Sequence, residues 1–192
     1  MNDPYSLPEG KCLRNKLDIE DAEVFKQAEA RIVSIRDVEL ARQNLPGEYT
    51  LEHLQSFHRA LFKDVYDWAG KTRTVDIAKG ASKFCSWRFV DEQTSAVLGN
   101  LETDGWLLGL NRDKFLERLA WYYSELNAMH PFREGNGRTL RAFLRQLSAS
   151  AGWRLDWSAL NKEDNNAASS HSLLTADTTE LVKVLTPVVV RM

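Results

Sequence analysis

The stretch His130-Pro-Phe-Arg-Glu-Gly-Asn-Gly-Arg138-Thr-Leu-Arg141 leads directly into a helical pattern. From Arg138 onward the apolar residues recur at helical spacing and predict one buried stripe, formed by Leu140, Phe143, Leu144, Leu147 and Ala151. Gly152 is placed to end this helix. Arg138, Arg141 and Arg145 fall within roughly 60° of one another on the opposite face. The sequence therefore predicts a glycine-rich turn that opens a helix with a cationic face.

This turn is suited to binding an anion. Gly135 and Gly137 leave backbone N–H groups free to converge, and the helix dipole adds partial positive charge at the same place. Arginine side chains bind phosphate oxygens through two parallel hydrogen bonds. The candidate nucleotide- and phosphate-binding residues are Arg133, Gly135, Asn136, Gly137, Arg138 and Arg141.

Two further residues give this anion site the means for a reaction. Glu134 is the only acid in the loop, and its carboxylate could hold Mg²⁺ against two phosphates. The ordinary pKa of a histidine suits a general base, which makes His130 the candidate catalytic residue. Pro131 ends the preceding helix and stiffens the loop that presents this histidine. A base, a metal ligand, an anion hole and a cationic clamp together predict phosphoryl or nucleotidyl transfer.

Each of these features taken alone is more often structural. His-Pro after a helix usually marks a terminus, Gly-Asn-Gly is usually a turn, and a row of arginines is usually a solvated face. Their coincidence within a dozen residues favours a catalytic role. The sequence contains no Walker motif, and Gly135-x-Gly137 lacks the third glycine of a dinucleotide fingerprint, so neither of those nucleotide-binding classes applies.

Composition and charge narrow the class of protein. The length of 192 residues favours one domain that is large enough to have a hydrophobic core. The net charge of −2 argues against a direct nucleic-acid partner. Cys12 and Cys85 fit no metal spacing and are expected to be reduced thiols. No apolar run approaches the ~20 residues of a membrane span, and the polar start is unlike a signal peptide. We therefore expect a cytoplasmic protein without a membrane partner.

The rest of the pattern is mainly helical. Asp18 is expected to cap a first helix whose apolar face is Ala22, Phe25, Ala28, Ile32 and Ile35. Thr50 is expected to cap a second helix, with His58 in its packing and an apolar face formed by Leu51, Leu54, Phe57, Leu61 and Val65. Further helices are predicted over 90–101, 113–129 and 156–165, and from Asp177 to about Pro187.

The one confident β signal lies between Arg73 and Phe84. Residues 74–77 alternate polar and apolar side chains, residues 79–81 supply a turn, and residues 82–84 could return as a second strand. Such a hairpin is marginal alone and should rest on the helices. We expect one mainly α domain over residues 1–192, with a core at about 18–152, a hairpin at about 73–85 and C-terminal helices at 156–190.

The motif from His130 to Arg141 resembles the signature of the Fic family, His-x-Phe-x-(Asp/Glu)-Gly-Asn-Gly-Arg-x-x-Arg, at every fixed position. Asp64-Val-Tyr-Asp-Trp-Ala-Gly-Lys-Thr-Arg73 and Val75-Asp-Ile77 are also similar to Fic proteins, in particular to the small bacterial toxins of this family. The similarity covers nearly the whole chain. It implies the Fic fold, a helical bundle with a β-hairpin flap over the active site.

The resemblance also implies a reaction, the transfer of AMP from ATP·Mg²⁺ to a hydroxyl side chain of a target protein. By motif match, His130 deprotonates the hydroxyl, Glu134 binds Mg²⁺, residues 135–137 form the anion hole, and Arg138 and Arg141 hold the distal phosphates. The flap would pair with the backbone of the target as an added strand, through Val75, Asp76, Ile77, Lys79 and Gly80. UMP transfer stays open, as does a non-catalytic nucleotide-binding module. The phosphorylating branch of the family carries Lys at the position of Gly137, which weakens that alternative.

Control of the activity can be searched for in the sequence. Many Fic proteins are inhibited by a helix bearing (Ser/Thr)-x-x-x-Glu-(Gly/Asn). The Glu9-Gly10 and Glu134-Gly135 pairs are preceded, four residues before each glutamate, by Tyr5 and His130, so neither fits. The resemblance therefore implies a small separate antitoxin whose glutamate would meet Arg141. It also implies a target among the ATPase subunits of DNA gyrase and topoisomerase IV.

Overall fold

The computed structural model describes residues 3–8, 12–80 and 82–192, and within them the chain is mainly helical, as predicted. The described helices are α1 (Ala22–Ala41), α2 (Leu51–Phe62), α3 (Val90–Thr103), α4 (Arg112–Met129), α5 (Asn136–Ser150), α6 (Lys162–Thr175) and α7 (Thr179–Leu185). The described strands are β1 (Ala78–Lys79), β2 (Ser82–Lys83), β3 (Trp153–Leu155) and β4 (Val189–Arg191). Strands β1 and β2 form one antiparallel pair and β3 and β4 another. Ala81 of the predicted turn and the Glu9-Gly10 pair lie outside the described residues.

The core lies where α2, α4 and α5 meet, and the stripes predicted for α2 and α5 are confirmed. The fully buried side chains at this contact include Phe57, Leu61, Leu119, Phe143, Leu144 and Leu147. Thr50 caps α2 as expected, because its side chain accepts a hydrogen bond from the N–H of His53. These three helices position the loop that runs from His130 to Gly135. No helix in the described part of the chain combines the length and apolarity needed to cross a membrane.

The prediction for α1 was wrong in its cap and in part of its buried face, since Phe25 is buried and Ile32 half-buried as predicted. The cap is Asp21, whose side chain accepts from the N–H groups of Glu23 and Val24. Ile35 of the predicted apolar face is 61% exposed, whereas the acidic residue Glu29 is buried together with Val33. A stripe chosen from apolar residues alone cannot include a buried acid. Glu29 is buried because its carboxylate has partners on other segments of the chain.

The hairpin exists, but its first strand was predicted four residues too early. Among the described residues, 74–77 pair with no strand, and two of their backbone groups are bound elsewhere. The N–H of Thr74 donates to the hydroxyl of Tyr5 at 3.0 Å, and the carbonyl of Val75 accepts from Arg73 Nη1 at 2.8 Å. Strand pairing therefore begins only at Ala78, which is the register partner of Lys83.

The C-terminal part differs from the predicted short helix over 156–165. Asp156 caps only a 3₁₀ turn, Trp157–Ala159, and the next helix, α6, begins after its own cap, Asn161. The pair of β3 and β4 was not predicted. Its strands lie far apart in the sequence, and each has only three residues, too few to show a period of two.

Candidate active site

His130 lies at the junction between α4 and the glycine-rich loop. It caps the C-terminus of α4 in a left-handed conformation, with φ of 47°, and the following proline prevents the helix from continuing. Its Nδ1 is 3.0 Å from the carbonyl of Asn127. Because a carbonyl can only accept, Nδ1 carries the hydrogen and Nε2 is left as the basic nitrogen of the ring.

The surroundings of His130 keep the ring neutral. Its imidazole stacks on the ring of Phe84, with 3.8 Å between the ring centroids and 16° between their planes. Burial lowers the pKa of His130 to about 4, and the charges of Arg73 and Lys79 act in the same direction. At neutral pH this histidine can therefore accept a proton.

Arg73 connects the histidine to both ends of the hairpin. Its side chain is fully buried and donates to the carbonyls of His130 at 2.8 Å, Val75 at 2.8 Å and Met129 at 3.2 Å. It also donates to the carbonyl of Cys85. Val75 precedes the hairpin and Cys85 follows it, so one guanidinium holds the hairpin and the C-terminus of α4 together. Apart from the family resemblance around Arg73, no sequence pattern indicated this role.

The glycine-rich loop is shaped by Gly135 and Asn136. Gly135 has φ of 81°, and a Cβ atom added there would lie 2.3 Å from Cζ of Phe62. The side chain of Asn136 accepts from the N–H of Phe132 at 2.8 Å and donates to its carbonyl at 2.7 Å. Asn136 thus closes the loop with its side chain, and only its backbone is available to a ligand. Helix α5 begins at Asn136, so the N–H groups of its first turn have no acceptor within the helix.

His58 supports this loop from α2, in agreement with its expected packing role. Its Nδ1 accepts from the N–H of Gly70 at 2.8 Å, so Nε2 carries the hydrogen and donates to the carbonyl of Glu134 at 3.1 Å. Its ring stacks on Phe132 with the centroids 4.0 Å apart. Burial lowers the pKa of His58 to about 3, so this ring is neutral.

Glu134 presents the carboxylate expected to hold a metal ion. Its Oε1 accepts from the N–H of Gly135 at 2.8 Å, and its side chain is 47% exposed at the edge of a cavity. Among the described residues no group of three or more His, Cys, Asp or Glu side chains could hold a metal ion. Mg²⁺ commonly uses one or two carboxylates together with phosphates of the substrate, so this arrangement fits Mg²⁺.

The three arginines of the motif have different surroundings. Arg141 lines the same cavity as His130 and Glu134, and a Cβ atom added to Gly137 would lie 3.4 Å from its Nη1. Arg138 instead forms an ion pair with Glu29 at 2.9 Å. Arg133 forms one with Asp3 at 2.6 Å. Of the predicted phosphate-binding residues, the structure brings Asn136, Gly137 and Arg141 to the cavity, whereas Gly135 and the side chains of Arg133 and Arg138 do not line it.

This cavity has a volume of about 490 Å³ and a second wall that the sequence pattern did not predict. Tyr123 and Asn127 of α4 line it, and α6 contributes the polar side chains Asn165, Asn166, Ser169 and Ser170 together with Leu173. These α6 residues recur at a spacing of four, a periodicity that could have been noticed. The Oδ1 atom of Asn165 is buried without a hydrogen-bond partner in the described structure.

The predicted flap residues divide between two cavities. Lys79 lines the cavity with His130. Val75, Asp76 and Ile77 line a different cavity of about 500 Å³, together with Arg133 and Trp87. Gly80 lies at the tip of the hairpin with φ of 60°, and a Cβ atom added there would contact nothing within 4 Å. Lys79 of the hairpin therefore faces the cavity of His130, whereas the segment before the hairpin lines the second cavity.

Comparisons with known proteins agree with this fold. BepC, a VirB-translocated effector protein of Bartonella tribocorum solved with bound AMPPNP, has the same fold, with a TM-score of 0.93 over 98% of this chain and 97% of that one, at 22% identity. The sequence profile of the Fic/DOC family matches residues 48–148. The chain belongs to the Fic/DOC family, and the predicted Fic fold is confirmed.

Two curated relatives bear names that specify an activity. The chain is 38% identical to a probable protein adenylyltransferase Fic of Escherichia coli, over 97% of its own length and 92% of that protein. It is 42% identical to the protein adenylyltransferase VbhT of Bartonella schoenbuchensis, over 89% of its own length and 36% of that protein. The chain thus spans about a third of VbhT and nearly all of the Escherichia coli relative.

Proposed function

We propose that this chain is a protein adenylyltransferase, which transfers AMP from ATP to a hydroxyl side chain of another protein and releases pyrophosphate. The observation that carries the proposal is the convergence of His130, Glu134 and Arg141 on one cavity beside the first turn of α5. The cavity volume of about 490 Å³ lies within the range of small-molecule sites. The names of the two curated relatives support the same activity.

In the proposed reaction, Nε2 of His130 takes the proton of the incoming hydroxyl. The hydroxyl oxygen forms a bond to the α-phosphorus in line with the departing pyrophosphate, whose bond to that phosphorus breaks. The N–H groups at the start of α5 stabilise the developing negative charge, and Arg141 binds the distal phosphates. Mg²⁺ bound through Glu134 would neutralise phosphate charge. Catalysis then rests mainly on positioning and electrostatics.

We assign the nucleoside part of ATP to the wall formed by α6. Asn165, Asn166, Ser169 and Ser170 offer hydrogen-bond donors and acceptors to a ribose and a base, opposite the phosphate-binding loop. The unpaired Oδ1 of Asn165 supports this assignment, since buried acceptors are normally satisfied. The preference for adenine over uracil would reside in this wall.

We assign the docking of the target to the hairpin. Both residues of β1 are exposed, and its partner β2 occupies only one of its edges. A target segment that pairs with the free edge would bring its hydroxyl toward His130 past Lys79 and Phe84, which line the cavity. Val75, Asp76 and Ile77 would contact the same segment from the second cavity.

We further propose that a small antitoxin protein inhibits the enzyme at Arg141. Among the described residues, no carboxylate lies within 4.0 Å of the Arg141 guanidinium, so that arginine is available to the glutamate of a partner. A groove of about 200 Å³ lies beside it, lined by Val33 and Ser34 of α1 and by Trp157. On the outer surface of α1, Val24, Ile35 and Val38 are each more than half exposed.

By family expectation the target is a cytoplasmic ATPase subunit of gyrase or topoisomerase IV.

The test is incubation of the purified protein with α-labelled ATP, Mg²⁺ and bacterial lysate, followed by gel electrophoresis. We expect a labelled protein band near the size of a topoisomerase ATPase subunit. The band should be absent with His130→Ala and present with His171→Ala, which changes an exposed histidine on α6. Label from γ-labelled ATP but not from α-labelled ATP would overturn adenylyl transfer. Label only from α-labelled UTP would establish UMP transfer, and binding without label would indicate a nucleotide sensor.

A further inference from the structure

The contact between α1 and α5 contains a buried carboxylate, Glu29, which is 7% exposed. Its Oε2 accepts from Arg138 Nη1 at 3.0 Å, and its Oε1 accepts from Arg138 Nη2 at 2.9 Å. The hydroxyl of Tyr66 donates to Oε1 at 3.1 Å. Both oxygens are thus bound in the paired geometry that holds arginine most specifically.

Arg138 lies between this carboxylate and the candidate metal ligand. Its guanidinium covers the ring of Phe62 at 4.8 Å, and its Nη2 is 3.4 Å from Oε1 of Glu134. The arginine therefore makes two close bonds to Glu29 and one long contact to Glu134. The carboxylate of Glu134 faces the cavity, whereas Arg138 does not line it.

A guanidinium and a divalent cation compete for the same carboxylate oxygens, since both are attracted by the same negative charge. Resting on the proposed function, we propose that Glu29 is a positioning residue. It holds Arg138 on α1 and so leaves the carboxylate of Glu134 available to the Mg²⁺ of the nucleotide. Arg138 then has a different part from Arg141, since its charge is bound within the protein while that of Arg141 faces the substrate.

The chain offers a matched control in a second ion pair between the same two helices. Asp37 of α1 accepts from Arg145 of α5 at 2.8 Å. Asp37 is 46% exposed at its side chain, and neither partner contacts Glu134 in the described structure. Removing this pair weakens the packing of α1 on α5 without changing the charge beside Glu134.

The measured quantity is the factor by which Mn²⁺, a substitute for Mg²⁺, strengthens the binding of the non-hydrolysable ATP analogue AMPPNP. Calorimetric titrations with and without Mn²⁺ give this factor and need no catalytic turnover. In Glu29→Gln, Arg138 loses its charged partner and moves onto Glu134, so the factor should fall about fivefold. In Asp37→Asn it should stay at the wild-type value. A purely structural defect would weaken binding with and without metal alike and leave the factor unchanged.

The double variant Glu29→Gln/Arg138→Met removes the competing cation and should restore the factor. If Glu29→Gln alone does not fold, as judged by thermal melting, the double variant carries the test. A factor below the wild-type value in the double variant then overturns the proposal. An equal factor in wild type and Glu29→Gln overturns the role proposed for Glu29 and leaves the proposed function unaffected. A wild-type protein whose affinity for AMPPNP does not respond to Mn²⁺ overturns the metal-binding part of the proposed function and this proposal with it.

Discussion

Two histidines, His58 and His130, contact the same loop but differ in how their ring nitrogens are hydrogen-bonded. Each ring stacks on an aromatic ring, His58 on Phe132 at 4.0 Å and His130 on Phe84 at 3.8 Å. Burial lowers the pKa of His58 to about 3 and that of His130 to about 4. His58 uses both ring nitrogens in hydrogen bonds to the backbone, whereas His130 uses only Nδ1 for this purpose.

The comparison teaches that a shifted pKa and a stacked ring do not identify a catalytic histidine. Both properties follow from burial, which structural and catalytic residues share. The proposed catalytic histidine differs from the structural one in a ring nitrogen that has no backbone partner and lies beside a cavity. His130 satisfies this criterion and His58 does not, since the cavity with Glu134 and Arg141 is lined by His130 alone of these two.

The largest expected effects come from exchanging each histidine for alanine. His130→Ala should lower AMP transfer by roughly 100- to 10,000-fold, the usual contribution of a general base, while nucleotide affinity is retained. His58→Ala should instead lower the free energy of unfolding by about 3 kcal/mol. It removes a buried aromatic ring and leaves the N–H of Gly70 and the carbonyl of Glu134 without partners. Chemical denaturation and transfer assays on both variants check the separation.

His171→Ala is the control for stability, because this exposed histidine makes only a 3.8 Å contact with Asp177. It should change the free energy of unfolding by less than about 0.5 kcal/mol. Loss of stability in His130→Ala comparable to that in His58→Ala would contradict the assigned difference. So would full stability of His58→Ala.

The sequence predicted the loop and α5 well because their signals are local. The helical period, the two glycines and the proline all act within a few residues of His130. Glu29 could not be predicted in the same way, since an acid on α1 is buried only because Arg138 lies opposite it, 109 residues later in the chain. Arg73 was missed for the same reason, because the carbonyl of His130 that it binds is 57 residues away.

The hairpin and the α6 wall show two further limits. Residues 74–77 have the alternation of a strand, but hydrogen bonds to Tyr5 and Arg73 occupy their backbone. The pattern predicts a shorter helix that begins earlier, capped by Asp156, whereas α6 is capped by Asn161. With the helix predicted in the wrong place, the polar row of α6 that lines the cavity could not be recognised from the sequence.

A pH titration sharpens the comparison with a smaller effect. The pKa values of both histidines in the folded protein lie below the 6.5 of the unfolded chain, so the unfolded state binds more protons below that pH. The stability contributed by the two histidines should be fully present above pH 6.5 and fall as the pH drops toward 4, by about 1.4 kcal/mol per pH unit for each histidine at the steepest. Burial also lowers the pKa of His53, which adds in the same direction.

Denaturation curves of wild type and His130→Ala at pH 7.5, 6.0 and 5.0 isolate the share of His130. The variant should lose less stability on acidification than wild type. The rate of AMP transfer by wild type should decline with a midpoint nearer to 4 than to 6.5. A midpoint near 6.5 would show that His130 is more solvated than its position beneath Phe84 implies.

The smallest expected effect concerns the two stacking partners. Phe84 follows the hairpin strand β2 and covers the ring of His130, so Phe84→Leu should loosen the orientation of the base. An aromatic stack is worth about 0.5 to 1.5 kcal/mol, which corresponds to a roughly twofold to tenfold decrease in kcat. Phe132→Leu removes the equivalent stack on His58 but should leave kcat nearly unchanged. It should instead lower the free energy of unfolding, because Phe132 is 1% exposed. Steady-state kinetics and denaturation of the two variants, measured side by side, test this difference. A decrease in kcat of equal size in both variants would mean that the loop responds as one rigid unit. The free nitrogen of His130 would then not set it apart from His58.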